Sequence, residues 1–223
     1  DLYAVEGGTA AMCYIFKSLK ANRLLHPGDT IALGTPIFTP YIEMTHLEDY
    51  ALKVVNIAAP QENRFQFTDA EIKKLENPQI KAFFLVNPGN PTGMALSKET
   101  IGKIATLVKT KRPDLMLLTD DVYGTFVTGF RSLLGELPQN TIGVYSYSKY
   151  FGCTGWRLGV IALHQDNIFD RAIAKLPDAQ LQAPDKRNGG LTLEPRKLKL
   201  IDRIVADSRD VALNHTAGLS LPQ

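Results

Sequence analysis

Cysteine is nearly missing: Cys13 and Cys153 are the only two in 223 residues. They are too few and too far apart for a disulfide scaffold or a zinc cluster. Long apolar runs are missing too. None approaches the roughly 20 residues needed to cross a bilayer, and the first residues lack the basic-then-apolar pattern of a secretory leader. Charge of one sign is also scarce, with 25 Lys and Arg set against 23 Asp and Glu for a formal net charge of +2. That balance gives no electrostatic reason for a nucleic acid or an anionic membrane as partner. There are no repeats and no low-complexity segments. What is present, 44% hydrophobic and 22% charged residues, is the composition of an ordinary globular protein, and a reducing cytoplasm suits it.

Both ends read as cut. The chain starts at Asp1 without a methionine and enters Glu6-Gly7-Gly8-Thr9 at once; it stops at Pro222-Gln223 directly after LNHTAGLSL. We therefore expect residues 1–223 to be one domain of a longer protein.

Between the ends, strand and helix patterns alternate. AAMCYIFKSLKANRLL reads as a helix after a glycine turn, with Thr9 as its N-cap or, alternatively, with Gly8 and Thr9 offering an anion site. Short strands are expected at Thr30–Leu33 and Lys53–Ile57. Residues 34–41, GTPIFTPY, read as a proline-bounded loop that brings two aromatics near a strand's exit. Thr68 and Glu71 have capping-box spacing. KAFFLV (81–86) reads as a central strand covered on both faces, and NPGNPTG (87–93) is dense in turn residues. Ser97 caps the next helix, 115–119 is a strand, and 141–145 is a buried strand delivering Ser146-Tyr147-Ser148-Lys149 into a turn. VIALHQ (160–165) reads as a strand reversing the chain, QAPDKRNGG (182–190) as an exposed loop, and 198–217 as a long helix. The alternation argues an α/β domain with a mostly parallel sheet. In such sheets ligands bind beyond the carboxyl ends of the strands. Asn90, Asp120, Tyr123 and Lys149 all fall there.

Lys149 alone reads as a solvated surface lysine, and Arg157 alone as a surface arginine. Together with GGTAA, TPIFTPY, NPGNPTG, DDVY and SYSK in this order, they resemble the fold-type I enzymes that use pyridoxal 5'-phosphate, in their aspartate aminotransferase branch. YSKYFGCTGWRLG and the stretch from EPRKLKL to Gln223 are most similar to bacterial aspartate 4-decarboxylases, which also carry aminotransferase activity.

The resemblance implies roles. Lys149 carries the cofactor and moves the substrate's α-proton, work that asks for an amine with a depressed pKa. Asp120, rather than Asp121, pairs with the pyridine nitrogen. Tyr123 and Asn90 hydrogen-bond the ring's phenolic oxygen, and Asn90 also meets the substrate carboxylate. Phe38 stacks on the ring. Gly8, Thr9, Ser146, Ser148 and Arg157 hold the phosphate, Ser148 having a turn cap as its other role. Gly7 serves the backbone path, and Trp156, Tyr150 and Cys153 pack. By the same resemblance the substrate is L-aspartate, the assembly a homodimer or larger homo-oligomer, and residues 1–223 are the cofactor-binding large domain. The arginine that grips substrate carboxylates is expected beyond Gln223. Two alternatives stay open: an aspartate or aromatic aminotransferase without decarboxylation, and a non-catalytic regulator on the same fold.

Overall fold

The most apolar runs form the centre of a seven-stranded sheet. The computed structural model describes residues 1–209. Its strands are β1 (Leu2–Val5), β2 (Thr30–Thr35), β3 (Lys53–Ala58), β4 (Ile80–Val86), β5 (Met116–Asp120), β6 (Thr141–Ser146) and β7 (Gly159–Leu163), in the spatial order β1-β7-β6-β5-β4-β2-β3. From β3 to β6 all neighbours are parallel; β7 runs antiparallel to β6, and β1 antiparallel to β7. The mostly parallel α/β sheet is thus observed, as is the reversal at β7. The sequence reading passed over β1, a four-residue edge strand of which only Val5 is buried.

Side chains alternate across each strand, so β4 feeds two cores. Ala82, Phe84 and Val86 join a cluster with α1 (Gly8–Ala21), α2 (Thr39–His46), α6 (Ile168–Ala174), α7 (Asp178–Asn188) and α8 (Leu200–Ser208). Phe83 and Leu85 join the other, with α3 (Asp69–Lys73), α4 (Lys98–Lys111) and α5 (Leu133–Glu136). Phe83 and Phe84 are both fully buried, and each contributes roughly 1.5–3 kcal/mol of burial free energy.

Caps follow the spacing in part. Ser97 Oγ accepts from Thr100 N at 3.1 Å, and Thr68 Oγ1 accepts from Glu71 N at 3.3 Å. The Glu71 carboxylate does not return to Thr68, however. It accepts from Ala58 N and Lys74 Nζ, each at 2.7 Å, a partner from β3 having displaced the local one.

Three expectations need correction. The N-cap of α1 is Gly7, at φ 92°, and Thr9 lies inside the first turn; a residue at that φ is best supplied by glycine. Residues 34–41 are not all loop: Gly34 and Thr35 extend β2, and α2 starts at Thr39 with Pro40 in its first turn, where a proline costs no hydrogen bond. Residues 182–188 belong to α7 despite Pro184. Leu181, Pro184 and Asn188 are buried at helical spacing, and Arg196 ties Asp178 and Asp185 together at 2.7 and 2.8 Å, so tertiary contacts hold a weakly helical sequence. The long helix expected over 198–217 is α8 as far as Ser208; the rest of that span lies outside the described residues.

Candidate active site

The carboxyl ends of β4, β5 and β6 point to the same side of the sheet, and the amino end of α1 meets them there. The chain leaves β4 toward Asn90, β5 ends on Asp120 and leads to Tyr123, and β6 ends on Ser146 ahead of Ser148 and Lys149. With Gly8, Thr9, Phe38 and Arg157, these line one cleft of about 150 Å³. All ten predicted site residues are therefore brought together. The cleft adjoins a wider hollow of about 610 Å³ that shares Asn90, Tyr123, Ser148 and Lys149.

One end of the cleft is a buried carboxyl. Asp120 is only 5% exposed. Its Oδ1 accepts from Val122 N at 3.1 Å, and its Oδ2 accepts from Tyr41 Oη at 2.6 Å. Burial pushes this carboxyl above the usual carboxylate range, and those two hydrogen bonds work against the rise. Asp121 faces the opposite way: its Oδ1 accepts from Thr119 Oγ1 at 2.6 Å, and it lines a separate hollow with Ser132 and Leu134. Beyond β5, Asn90 Nδ2 donates to Tyr123 Oη at 3.4 Å. Burial, and then the nearby Asp120, raise the Tyr123 hydroxyl above its ordinary pKa.

The other end is built of donors. Ser146 Oγ donates to Ser148 Oγ at 3.0 Å, and Arg157 Nη1 reaches Ser148 Oγ at 3.3 Å. The Arg157 backbone takes the left-handed conformation, φ 50°, which a non-glycine residue adopts only under constraint. The constraint is visible: Nη1 donates to Thr154 O at 3.0 Å and Nη2 to Glu6 O at 3.1 Å. Gly7 makes room for this arrangement, because a Cβ there would come 2.3 Å from Arg157 Nη2. The sequence reading had given Gly7 only the backbone path. The first amides of α1 add the positive end of a helix dipole.

Between the two ends lie Lys149 and the walls. Lys149 is exposed on the turn after β6, as its reading in isolation had it. Phe38 is half-buried, its ring edge-on to Tyr41 with centroids 5.3 Å apart. Of the three residues expected to pack, Trp156 is 80% exposed; Tyr150 is 52% exposed but sets its ring edge-on to Phe126 and Phe151, centroids 5.2 Å apart in each pair, and Cys153 Sγ lies 3.1 Å from Tyr147 O. The sequence reading missed Tyr41, Val86, Val122 and Thr154 as cleft residues. Tyr41 had a usable signal, since it follows Phe38 at a helix's three-residue spacing.

Comparisons with known proteins agree with this architecture. The profile of the family described as "Aminotransferase class I and II" matches residues 7–181. A bifunctional aspartate aminotransferase and L-aspartate beta-decarboxylase from Pseudomonas sp is 56% identical over all 223 residues, which cover 42% of its length. A probable aspartate/prephenate aminotransferase from Rhizobium leguminosarum bv. phaseoli is 32% identical over 70% of this chain and 39% of its own. The chain thus spans about two fifths of these relatives. Among solved structures, aspartate aminotransferase from Thermus thermophilus with maleate superposes with a TM-score of 0.65 at 22% identity, covering 97% of this chain and 50% of that one, a likeness of fold. With a matching profile over most of its length and the cleft at the carboxyl ends of its sheet, the chain belongs to the class I and II aminotransferase family.

Proposed function

We propose that this chain is the cofactor-binding part of a pyridoxal 5'-phosphate enzyme that converts L-aspartate to L-alanine and CO2, with aspartate aminotransferase activity beside it. One observation carries the reading: a single cleft holds a buried carboxyl at one end, a serine–arginine donor cluster at the other, and an amine between. The donor set matches the cofactor's chemistry, with an anion site, a partner for a ring nitrogen and a nucleophilic amine. The cradle fits as well: a Cβ on Gly8 would sit at van der Waals distance from both ends of the cleft, 3.6 Å from Ser146 Cβ and 3.9 Å from Asp120 Oδ2, taking up space that the glycine leaves open.

In this reading Ser146, Ser148, Arg157, Thr9 and the Gly8 amide hold the phosphate, by charge-assisted and helix-terminal hydrogen bonds. Asp120 keeps the ring nitrogen protonated. Tyr123 and Asn90 bond the ring oxygen, and Phe38 covers one ring face. The bound cofactor supplies an electron sink conjugated with the substrate's α-carbon. Lys149 holds the cofactor covalently and, once substrate releases it, removes and returns the proton at Cα. Its exposed position gives it reach and access to the wider hollow, where Asn90 is placed to meet the substrate's α-carboxylate. Decarboxylation and amino transfer share the Cα proton step and then diverge, the first by losing the β-carboxylate. The choice of decarboxylation is supported by the Pseudomonas relative; the reading as a plain aminotransferase is supported by the Rhizobium one.

The cleft is flanked by exposed aromatics, Phe126 at 59%, Tyr150 at 52%, Phe151 at 57% and Trp156 at 80%. Apolar surface of that kind supports a homodimer or larger assembly. A cytoplasmic site of action accords with the composition, and no helix among the described residues is long and apolar enough to cross a membrane.

The test uses the full-length enzyme. Borohydride reduction and peptide mapping should place the pyridoxyl group on Lys149, and label on another lysine would overturn the assignment. With aspartate as substrate, alanine and CO2 should appear without an added keto acid. Glutamate formation from 2-oxoglutarate without CO2 would leave the plain aminotransferase.

A further inference from the structure

We propose that Tyr41 is a positioning residue for Asp120: its hydroxyl holds the carboxylate ionised and turned into the cleft, and so sets where the proton of the cofactor's ring nitrogen resides. The inference rests on the reading of the cleft given above and adds a residue to it. Tyr41 lies in the first turn of α2, its amide donating to Phe38 O at 2.9 Å. Its ring is 2% exposed and pinned between Phe84 and Phe38, with centroids at 4.7 and 5.3 Å. From that fixed seat its hydroxyl donates to Asp120 Oδ2 at 2.6 Å.

Oδ2 is also the oxygen nearest the Gly8 cradle. A carboxylate oxygen can accept more than one hydrogen bond, so the bond from Tyr41 leaves Oδ2 able to accept a second from the cleft. Oδ1 is already engaged by Val122 N. Together, Tyr41 and the Val122 amide stabilise the charged form of a carboxyl whose pKa burial pushes upward. The phenol suits the task because it never competes for the proton. Burial first, and then Asp120, push its pKa well above the ordinary value, so it donates at every working pH. The other titratable groups facing this pair are Cys13 from α1 and Tyr123 beyond β5, with Lys149 and Arg157 also lining the cleft. Cys13 is itself pushed up to about 11 by burial and stays neutral. Without the phenol's hydrogen bond, Asp120 becomes the stronger base and draws the proton from the ring nitrogen.

Tyr41→Phe keeps the ring and its packing and deletes the hydroxyl alone. Full-length enzyme is loaded with cofactor labelled with ¹⁵N at the ring, and the nitrogen resonance is read beside kcat, KM and the cofactor's Kd. The resonance should move toward that of the unprotonated ring, with kcat lowered about 10- to 100-fold and KM within about threefold. Site-specific 3-fluorotyrosine at 41, a stronger donor of nearly the same shape, should hold the resonance at the unsubstituted position or push it further toward the protonated ring. An unchanged resonance in Tyr41→Phe, or a move toward the unprotonated ring with 3-fluorotyrosine, overturns the role of Tyr41 while leaving Lys149 as the tether. Failure to find the cofactor on Lys149 in the unsubstituted enzyme overturns both.

Discussion

Because side chains alternate along β5, Asp120 continues the face of Leu118 and Asp121 that of Thr119. The first faces the cleft, the second the hollow near Ser132. Asp120→Asn should therefore leave the fold intact and slow exchange of the substrate's α-proton by about 10²–10³-fold or more, as expected where a charge stabilises the developing transition state; mass spectrometry of substrate in D2O reads it. Asp121→Asn should act on stability instead. Burial lifts the Asp121 carboxyl to about 6, against hydrogen bonds from Ser132 and Thr119 that lower it, with Asp120 adding to the rise. A folded-state pKa above the unfolded one means that the protonated form is favoured in the fold. That contribution is complete below about pH 4 and lost as pH rises through 6. A permanently neutral asparagine should then raise the Tm near pH 7.5, by the equivalent of roughly 1–3 kcal/mol, with the gain fading by pH 4. Thermal melts across that range decide it, and a gain that is independent of pH would contradict the assignment.

Two elements meet the cleft through α1. At its amino end, Gly7 combines φ 92° with the close approach of the Arg157 guanidinium. Gly7→Ala should strain the turn and push Arg157 off Ser148, weakening cofactor binding at least tenfold in fluorescence titration while changing the Lys149 label little. Along its buried face, α1 is clamped to α8 by polar contacts. Asp207 Oδ2 accepts from Ser18 Oγ at 2.8 Å and Asn22 Nδ2 at 3.0 Å, and Oδ1 pairs with Arg187 Nε at 2.5 Å. Arg203, fully buried, donates to Asn22 Oδ1 at 3.0 Å. Removing one partner of a buried charged set leaves the rest unsatisfied, so Asp207→Ala should cost about 3–5 kcal/mol, measured by urea unfolding. A loss below about 1 kcal/mol would show that water replaces the carboxylate.

At the scale of the whole molecule, the aromatic rim gives the remaining prediction. Trp156→Glu and Phe151→Glu place charge on surface that assembly would desolvate, so sedimentation of the full-length enzyme should show weakened association, by tenfold or more in Kd, and unchanged size would remove this face from the interface. How the chain makes one molecule was partly legible beforehand. KAFFLV, the helix spacing after Gly8 and the turn-rich NPGNPTG placed the sheet and the strand ends because burial and backbone stereochemistry act locally. They also placed Asn90, Asp120, Tyr123 and Lys149 at those ends, while the resemblance added the other six cleft residues and assigned the chemistry. Three things depended on distant parts of the chain. The Glu71 carboxylate preferred β3 to its own cap, and α7 formed around Pro184 with help from Arg196. Tyr41, on which local pattern conferred only packing, became the donor to Asp120. Local sequence determines which segments are strand or helix and which side chains share a face. Which polar groups meet across the sheet is decided only when α2 and β5 pack together, because a hydrogen bond depends on the separation of two atoms and not on their separation along the chain.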